Sequence, residues 1–177
     1  PLSKHTSFRI GGPARIFAAP PDAESVSGVI KACDDSGVRR FILGNGTNVL
    51  VSDDGYDGVV IQIYKNLSQT VINGTRIKAG AALSGLEFAS GIPGTLGGAV
   101  TMNAGAYGGE MKDVLTDVTV FIPGEGIRVL EPGELKLGYR TSIIKHTDMI
   151  VLSAGLQLES GDETAIRERI AALKEQR

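Results

Sequence analysis

Residues 90–109 restrict the fold of this chain more than any other feature, because none of these twenty residues is charged and seven are glycine. Connections of that length are uncommon inside a compact domain, and exposed ones are normally polar. Glycine lets the backbone approach another group closely, since it has no Cβ. We therefore expect a loop packed against something large and partly apolar, such as a planar ring system with a pyrophosphate. The alternative is a glycine-rich core segment, because close backbone packing alone also selects glycine.

A second glycine-rich loop is predicted at residues 44–48, where G-N-G-T-N follows one apolar run and precedes another. Its glycines leave backbone N–H groups accessible, and the Thr47 hydroxyl can donate to a phosphate oxygen. The alternative is a tight turn whose asparagine side chains satisfy its own backbone. Taken together, the two loops favour a dinucleotide. The predicted cofactor-binding residues are Gly44, Asn45, Gly46, Thr47, Asn48, Gly91, Ile92, Pro93, Gly94, Thr95, Gly98, Asn103, Gly105 and Ala106.

The hydrophobic pattern predicts an α+β fold. Apolar residues recur with helical spacing from Val26 to Cys33, which predicts a helix at about 23–35. The other expected elements are strands at 39–43, 58–63 and 149–158, hairpins at 69–79 and 118–130, and a helix capped by Asp162. This order favours an α+β architecture over a repeating β-α-β sheet. The glycine patterns of Rossmann and P-loop proteins are absent from the sequence.

Composition excludes several classes of function. Eighteen Lys and Arg against 20 Asp and Glu give a net charge of −2, with no basic run suited to a nucleic acid. No apolar stretch reaches the roughly 20 residues of a membrane span, and the first residues lack a signal-peptide pattern. The single Cys33 and two histidines give no metal-ligand spacing. We expect a cytoplasmic protein without a metal site, a nucleic-acid or membrane partner, or an obligate protein partner.

The pair Tyr139-Arg140 is a candidate substrate site. It lies in L-G-Y-R-T-S, where an aromatic hydroxyl and a permanently charged guanidinium stand side by side before a predicted strand. Arg140 could hold a carboxylate or phosphate and stabilise a developing oxyanion, and the Tyr139 hydroxyl could orient a substrate. The alternative is a surface ion pair, which is a common role for an arginine in a loop.

Five motifs in order resemble the UDP-N-acetylenolpyruvoylglucosamine reductase (MurB) family of bacterial cell-wall synthesis. They are T-S-F-R-I-G-G-P-A at 6–14, L-G-N-G-T-N-V-L-V at 43–51, G-L-E-F-A-S-G-I-P-G-T-L-G-G-A at 85–99, M-N-A-G-A-Y-G at 102–108 and G-Y-R-T-S at 138–142. Their shared order makes them far more specific than any one alone. The resemblance implies a two-subdomain FAD-binding fold of the vanillyl-alcohol-oxidase/PCMH type. We expect subdomains at 1–66 and 67–160, and a helix at 161–177 leading toward a substrate-binding domain.

Members of that family reduce UDP-N-acetylglucosamine enolpyruvate to UDP-N-acetylmuramate with NADPH, in peptidoglycan precursor synthesis. The resemblance implies non-covalent FAD, with hydride passing from NADPH through the flavin to the substrate carbon β to the carboxylate. A proton is then added at the neighbouring carbon. The resemblance also implies that Arg140 stabilises enol-like charge on the substrate carboxylate and that Tyr139 lines the substrate site. The protein supplies placement and electrostatics, whereas the redox chemistry belongs to the cofactor.

The sequence departs from the family pattern in two places. No motif matches the family's third domain, which holds a serine proton donor and a catalytic glutamate, so neither Ser142 nor Ser153 receives that role. The last predicted helix also reaches Arg177 without a stop signal, which suggests that the chain continues. A polypeptide ending there is expected to bind FAD without useful turnover. Near 81–83, the family has a helix of about 15 residues that is missing here, so we expect a gap in the sequence at that point.

Two other functions remain open at this level. A vanillyl-alcohol-type oxidase would share the fold, but many such enzymes link flavin covalently to His or Cys. His5, His146 and Cys33 all lie outside the two loops, which favours non-covalent flavin. A non-enzymatic nucleotide-binding or interaction module would use the glycines only for packing. A purified protein that gains no flavin spectrum with added FAD would favour the module.

Overall fold

The computed structural model describes residues 1–63 and 82–177. The first part contains a three-stranded parallel sheet in the order β1–β3–β2. Helix α1 connects β1 to β2. Asp22 caps its N-terminus, because the Asp22 carboxylate accepts from the backbone N–H of Ser25. The bounds are β1 Ala14–Ala18, α1 Ala23–Asp35, β2 Arg40–Leu43 and β3 Tyr56–Gln62.

The second part contains a three-stranded antiparallel sheet in the order β8–β7–β9. The strands are β7 Leu115–Ile122, β8 Gly126–Leu130 and β9 Ile150–Leu156. Strand β7 is central, and its Val118 and Val120 side chains are completely buried. This sheet is the centre of the larger hydrophobic core in the described part of the chain.

The two sheets share a core. Val26 and Ile30 of α1 pack in one cluster with Ile61 of β3, and Phe121 and Ile150 of the antiparallel sheet belong to the same cluster. The first part of the chain is therefore fixed against the second by apolar contacts, which positions the loops that leave each sheet.

The glycine-rich segment 90–109 is not a continuous loop, and in this respect the expectation was wrong. It contains a short helix, α2 Leu96–Thr101, and the two strands of a small hairpin start within it. The helix forms because the Thr95 side chain accepts from the Gly98 N–H and caps it. Gly97 lies against β9, where an added Cβ would be 3.4 Å from Val151 Cβ, an ordinary contact distance, so α2 packs directly on the sheet. The hairpin strands are β5 Gly105–Ala106 and β6 Gly109–Glu110.

A second two-stranded pair lies near the end of the chain. Strand β10, Glu159–Gly161, pairs antiparallel with β4, Ala82–Ser84. Helix α3, Glu163–Glu175, follows and starts at the predicted cap, where Asp162 accepts from the Ala165 N–H. Among the residues described, no helix is long and apolar enough to cross a membrane.

Several element predictions are confirmed and a few need correction. Helix α1 covers the predicted 23–35, and β7 with β8 forms the predicted hairpin. The strand predicted at 149–158 is present as β9, which ends two residues earlier at Leu156, and β10 at Glu159–Gly161 was not predicted. Strand β1 was not predicted. The hairpin expected at 69–79 lies outside the described residues, as does Ala81 at the expected gap, and both stay predictions.

Candidate functional site

The two glycine-rich loops meet in the structure. The Thr47 hydroxyl donates to the Pro93 carbonyl oxygen at 3.3 Å. A Cβ added to Gly44 would lie 2.9 Å from Thr95 Oγ1, so the loops also approach closely at a second point. The two loops, which are far apart in sequence, thus form one surface at the C-terminal end of β2 and the N-terminal end of α2.

Backbone N–H groups along this surface have no acceptor within the described part of the chain. In the first loop they belong to Asn45, Gly46 and Thr47, and in the second to Gly94, Thr95 and Leu96. Such groups need partners, and adjacent amides that point outward form concavities suited to anions. The Thr47–Pro93 contact brings the two sets together. The arrangement fits the pyrophosphate of a dinucleotide such as FAD.

Gly46, predicted to bind the cofactor, also has a structural role, because it packs against the N-terminal segment. Its φ is +66°, and an added Cβ would lie 2.1 Å from the His5 carbonyl oxygen. The Gly46 carbonyl oxygen also accepts from the Ser7 N–H at 3.0 Å. Glycine is needed here because the N-terminal segment packs directly beneath the loop.

The Tyr139-Arg140 pair occupies the two central positions of a tight turn. Gly138 and Thr141 close the turn through two backbone hydrogen bonds, at 3.1 and 3.3 Å. Arg140 has φ +55°, and its Nη2 donates to the Gly105 carbonyl oxygen at 2.9 Å. The Tyr139 side chain is 91% exposed, so its hydroxyl is free for a ligand.

A cavity of about 390 Å³ lies between this turn and the β5–β6 hairpin. Its walls include Asn103, Tyr107, Glu110, Tyr139 and Arg140. Asn103, Tyr107 and Arg140 are three of the five non-glycine residues with positive φ among those described. Unfavourable backbone conformations concentrate where the surrounding structure holds them for a function. The cavity is therefore the candidate substrate site.

Helix α2 joins the surface formed by the two glycine-rich loops to the turn of residues 138–141, which we call the substrate turn because it lines the candidate substrate site. Its N-terminal cap, Thr95, lies in the second loop. Near its other end, the Thr101 carbonyl oxygen accepts from the Ser142 hydroxyl at 2.7 Å, and Ser142 is buried. A six-residue helix is about 9 Å long, so the two regions are close neighbours.

Glu110 is the main charged group on the hairpin side of the cavity. Its carboxylate pairs with the Lys112 ammonium and accepts from the Asn103 amide. The hydrogen bond from Lys112 is the largest cause that holds the pKa of the Glu110 carboxyl below its ordinary value, although partial burial opposes it. The same pairing raises the pKa of Lys112. Glu110 therefore carries a negative charge near Arg140 at neutral pH.

The structure brings most of the predicted residues to these two neighbouring regions. Gly105 and Ala106 form β5, and the Gly105 carbonyl contacts Arg140 rather than the loops. The predictions missed Glu110 and Tyr107, although Glu110 is the first charged residue after a run of 22 uncharged ones and could have been found by that signal. Among the described residues, no group of His, Cys, Asp and Glu could hold a metal ion.

Comparison with protein families gives the cofactor class. Residues 74–130 match a family model described as an FAD binding domain. The match includes the second loop, α2 and the β5–β6 hairpin. FAD, expected from the loops and the resemblance, is therefore confirmed as the cofactor class of this domain.

Curated relatives share close to half of their aligned residues with this chain. The UDP-N-acetylenolpyruvoylglucosamine reductase of Caldanaerobacter subterraneus subsp. tengcongensis is 44% identical over 191 positions, covering 100% of this chain and 63% of that protein. The protein of the same name from Clostridioides difficile is 44% identical over 181 positions, covering 94% of this chain and 60% of its own length. The chain thus spans about three fifths of these relatives. The longer alignment exceeds the 177 residues of this chain, so that relative has residues without a counterpart here.

A solved structure has the same fold. The crystal structure of UDP-N-acetylenolpyruvylglucosamine reductase (MurB) from Thermus caldophilus superposes with a TM-score of 0.79 at 32% identity. The superposition covers 99% of this chain and 67% of that one. The match confirms the α+β FAD-binding fold. The predicted subdomain bounds and the roles of individual site residues remain predictions.

Proposed function

The chain belongs to the UDP-N-acetylenolpyruvoylglucosamine reductase family, and we propose that its protein reduces UDP-N-acetylglucosamine enolpyruvate to UDP-N-acetylmuramate with NADPH. This reaction would serve peptidoglycan precursor synthesis in the cytoplasm. The described residues supply the FAD-binding surface and one side of the substrate site. The observation that carries the proposal is the position of Arg140 in the wall of a cavity that the short helix α2 links to the surface formed by the two glycine-rich loops.

The two loops hold the cofactor. The N–H groups at 45–47 and 94–96, which have no acceptor among the described residues, would donate to the pyrophosphate, and the Thr47–Pro93 hydrogen bond keeps the loops together. No His or Cys side chain belongs to the two loops, which supports non-covalent binding. Bound FAD supplies hydride transfer from NADPH to the substrate.

Arg140 holds the substrate carboxylate. Its guanidinium remains charged at all relevant pH values and can donate two parallel hydrogen bonds to a carboxylate. One terminal nitrogen, Nη2, donates to the Gly105 carbonyl oxygen, which restrains the side chain toward the cavity. As hydride adds to the carbon β to the carboxylate, negative charge develops toward the carboxylate oxygens. A fixed guanidinium stabilises that charge in the transition state.

Tyr139 provides an adjustable contact beside Arg140. Its side chain is 91% exposed, and its ring lies 5.9 Å from the Arg140 guanidinium carbon. The ring therefore covers one side of the guanidinium while the hydroxyl stays available to the UDP-sugar part of the substrate. We assign it to substrate binding.

The experiment measures three properties of the full-length protein. It should show a flavin absorption spectrum, become reduced by NADPH, and then be reoxidised by UDP-N-acetylglucosamine enolpyruvate without oxygen. The product should have the mass of UDP-N-acetylmuramate. Flavin that is reoxidised by oxygen alone would contradict the proposal and favour the oxidase. A protein that remains colourless with added FAD would contradict both enzymatic functions.

A further inference from the structure

The Asn103 side chain makes all of its hydrogen bonds within the protein. It is 2% exposed, and it lies just after α2 with φ +41°. Its Nδ2 donates to the Gly138 carbonyl oxygen at 3.1 Å and to the Glu110 carboxylate, and its Oδ1 accepts from the Lys112 N–H at 2.9 Å. Two donors and one acceptor are thereby used.

The chemistry of these partners fixes the orientation of the amide. A carbonyl and a carboxylate can only accept, and the Lys112 backbone N–H can only donate. If the amide were flipped, its oxygen would face two acceptors and its NH2 group would face a donor. The flipped orientation would therefore lose all three hydrogen bonds, so Asn103 has one stable arrangement here.

The contacted carbonyl is the one that begins the substrate turn. The Gly138 oxygen also accepts the N–H of Thr141, which closes the turn around Tyr139 and Arg140. At the other end of the turn, Lys145 Nζ donates to the Arg140 carbonyl oxygen at 3.2 Å, but this side chain is exposed. Asn103 is thus the buried anchor that ties the turn to the hairpin carrying Gly105.

We propose that Asn103, oriented by Glu110, is a positioning residue that fixes the Tyr139-Arg140 turn so that the Arg140 guanidinium faces the substrate carboxylate. The inference rests on the proposed function of Arg140. Asn103 acts through the turn, while its own side chain is buried and committed to protein partners. Removing its donors lets the turn shift, and small shifts of a catalytic group lower rates strongly.

The fold itself has a separate anchor at this place. The buried Ser142 hydroxyl donates to the Thr101 carbonyl oxygen and keeps the segment after the turn attached to α2. Loss of the Asn103 donors should therefore move the turn, while Ser142 keeps the segment after it attached to α2. This separation makes positioning distinguishable from general stability.

The test variant is Asn103→Asp in the full-length, FAD-loaded protein. Aspartate has nearly the same size, tolerates positive φ and can still accept from Lys112, but when ionised it donates to neither Gly138 nor Glu110. The matched control is Gln157→Glu, the same amide-to-carboxylate change in an exposed side chain whose Nε2 donates to the Leu158 carbonyl oxygen at 3.1 Å. Stopped-flow absorbance then follows flavin reduction by NADPH and reoxidation by the enolpyruvyl substrate separately.

The proposal expects flavin reduction by NADPH to stay within about twofold of wild type, whereas reoxidation by substrate slows by about 10- to 100-fold. The flavin spectrum should be retained, and calorimetry should show weaker binding of the enolpyruvyl substrate. In an Arg140→Ala background, Asn103→Asp should add less than about a twofold effect, because both changes remove the same interaction. Independent, multiplying effects would overturn the proposal. Gln157→Glu should behave as wild type in both half-reactions.

A second variant keeps the test decisive if Asn103→Asp loses FAD or fails to fold. Glu110→Gln leaves Asn103 in place but removes the charge that orients it, so slower reoxidation with normal reduction is expected. If Glu110→Gln is reoxidised at the normal rate and Asn103→Asp does not fold, Asn103 has only a structural role and the proposal is overturned. A wild-type protein that the substrate cannot reoxidise would refute the proposed function instead.

Discussion

The Thr47 hydroxyl donates to the Pro93 carbonyl oxygen at 3.3 Å, which joins two loops whose contacting residues are 46 positions apart in sequence. This contact brings together two separate sets of backbone N–H groups, which we propose bind the pyrophosphate of FAD. Gly44 contributes to the same junction, because a Cβ added there would lie 2.9 Å from Thr95 Oγ1.

Thr47→Val tests this contact with little change in side-chain shape. Valine cannot donate to Pro93 or to a phosphate oxygen, so FAD affinity should fall by about fivefold to tenfold, equivalent to roughly 1 kcal/mol. The dissociation constant is measured by flavin fluorescence on the apoprotein. Thr116→Val is the control, because the Thr116 hydroxyl donates only to Asp117 on the exposed surface. Equal losses in both variants would contradict a specific role for the loop contact.

Gly46→Ala should destabilise the protein and weaken FAD binding together. The new Cβ would collide with the His5 carbonyl oxygen, and the positive φ would add strain. We expect the free energy of unfolding to fall by roughly 1–3 kcal/mol, as measured by urea denaturation of the apoprotein. Gly28→Ala is the control, since nothing lies within 4 Å of its added Cβ on α1. That change should raise stability by about 0.5–1 kcal/mol and leave FAD affinity unchanged.

The pH dependence of stability should include a contribution from Glu87. Its carboxylate accepts from the Ser84 hydroxyl at 2.6 Å and from the Gly85 N–H at 2.8 Å. The Ser84 hydrogen bond is the largest cause that lowers the pKa of Glu87, with burial opposing it. A lowered folded-state pKa means that this stabilisation is present above the ordinary glutamate pKa and is lost as pH falls through the lowered value.

Glu87→Gln measures that contribution directly. At about pH 7 the variant should be roughly 1 kcal/mol less stable than wild type, and the difference should shrink toward about pH 3. Urea denaturation at both pH values gives the two differences. Glu168→Gln, at an exposed position on α3, should cost little at either pH. A difference that grows on acidification would contradict the assigned direction of the Glu87 pKa.

Signals from neighbouring residues were sufficient to predict the elements that such residues stabilise, such as a capped helix with one apolar face. Helix α1 was predicted to its ends because Asp22 caps it and its buried side chains recur at helical spacing. Strand β1 was missed because most of its side chains are exposed, so it lacks the alternation that identifies a strand. Helix α2 was missed because its glycines resemble a loop, and its packing against Val151 of β9 is a long-range contact that the local sequence does not show.

The candidate substrate site depends on contacts that sequence spacing cannot reveal. The residue types of Tyr139 and Arg140 suggested the chemistry, but the anchor of their turn comes from Asn103, 35 residues away from Gly138. The sequence prediction placed Asn103 among the cofactor-binding residues because of the glycines around it. Its side-chain hydrogen bonds tie the turn of Tyr139 and Arg140 to the hairpin, and its role in binding FAD stays a prediction.

Arg140→Ala in the full-length protein separates catalysis from cofactor binding. We expect the flavin spectrum to survive gel filtration, because the guanidinium donates to Gly105 of β5 beside the cavity and not to residues 44–48 or 90–96. Reoxidation of reduced flavin by the enolpyruvyl substrate should slow by about 10²- to 10³-fold, as for removal of a transition-state oxyanion donor. Arg140→Lys should recover only part of the rate, since an ammonium lacks the paired donors that match a carboxylate. Arg128→Ala removes an exposed arginine that pairs with Glu125 and Glu134, and it should change neither property. Loss of flavin in Arg140→Ala would assign this arginine to cofactor binding instead of catalysis.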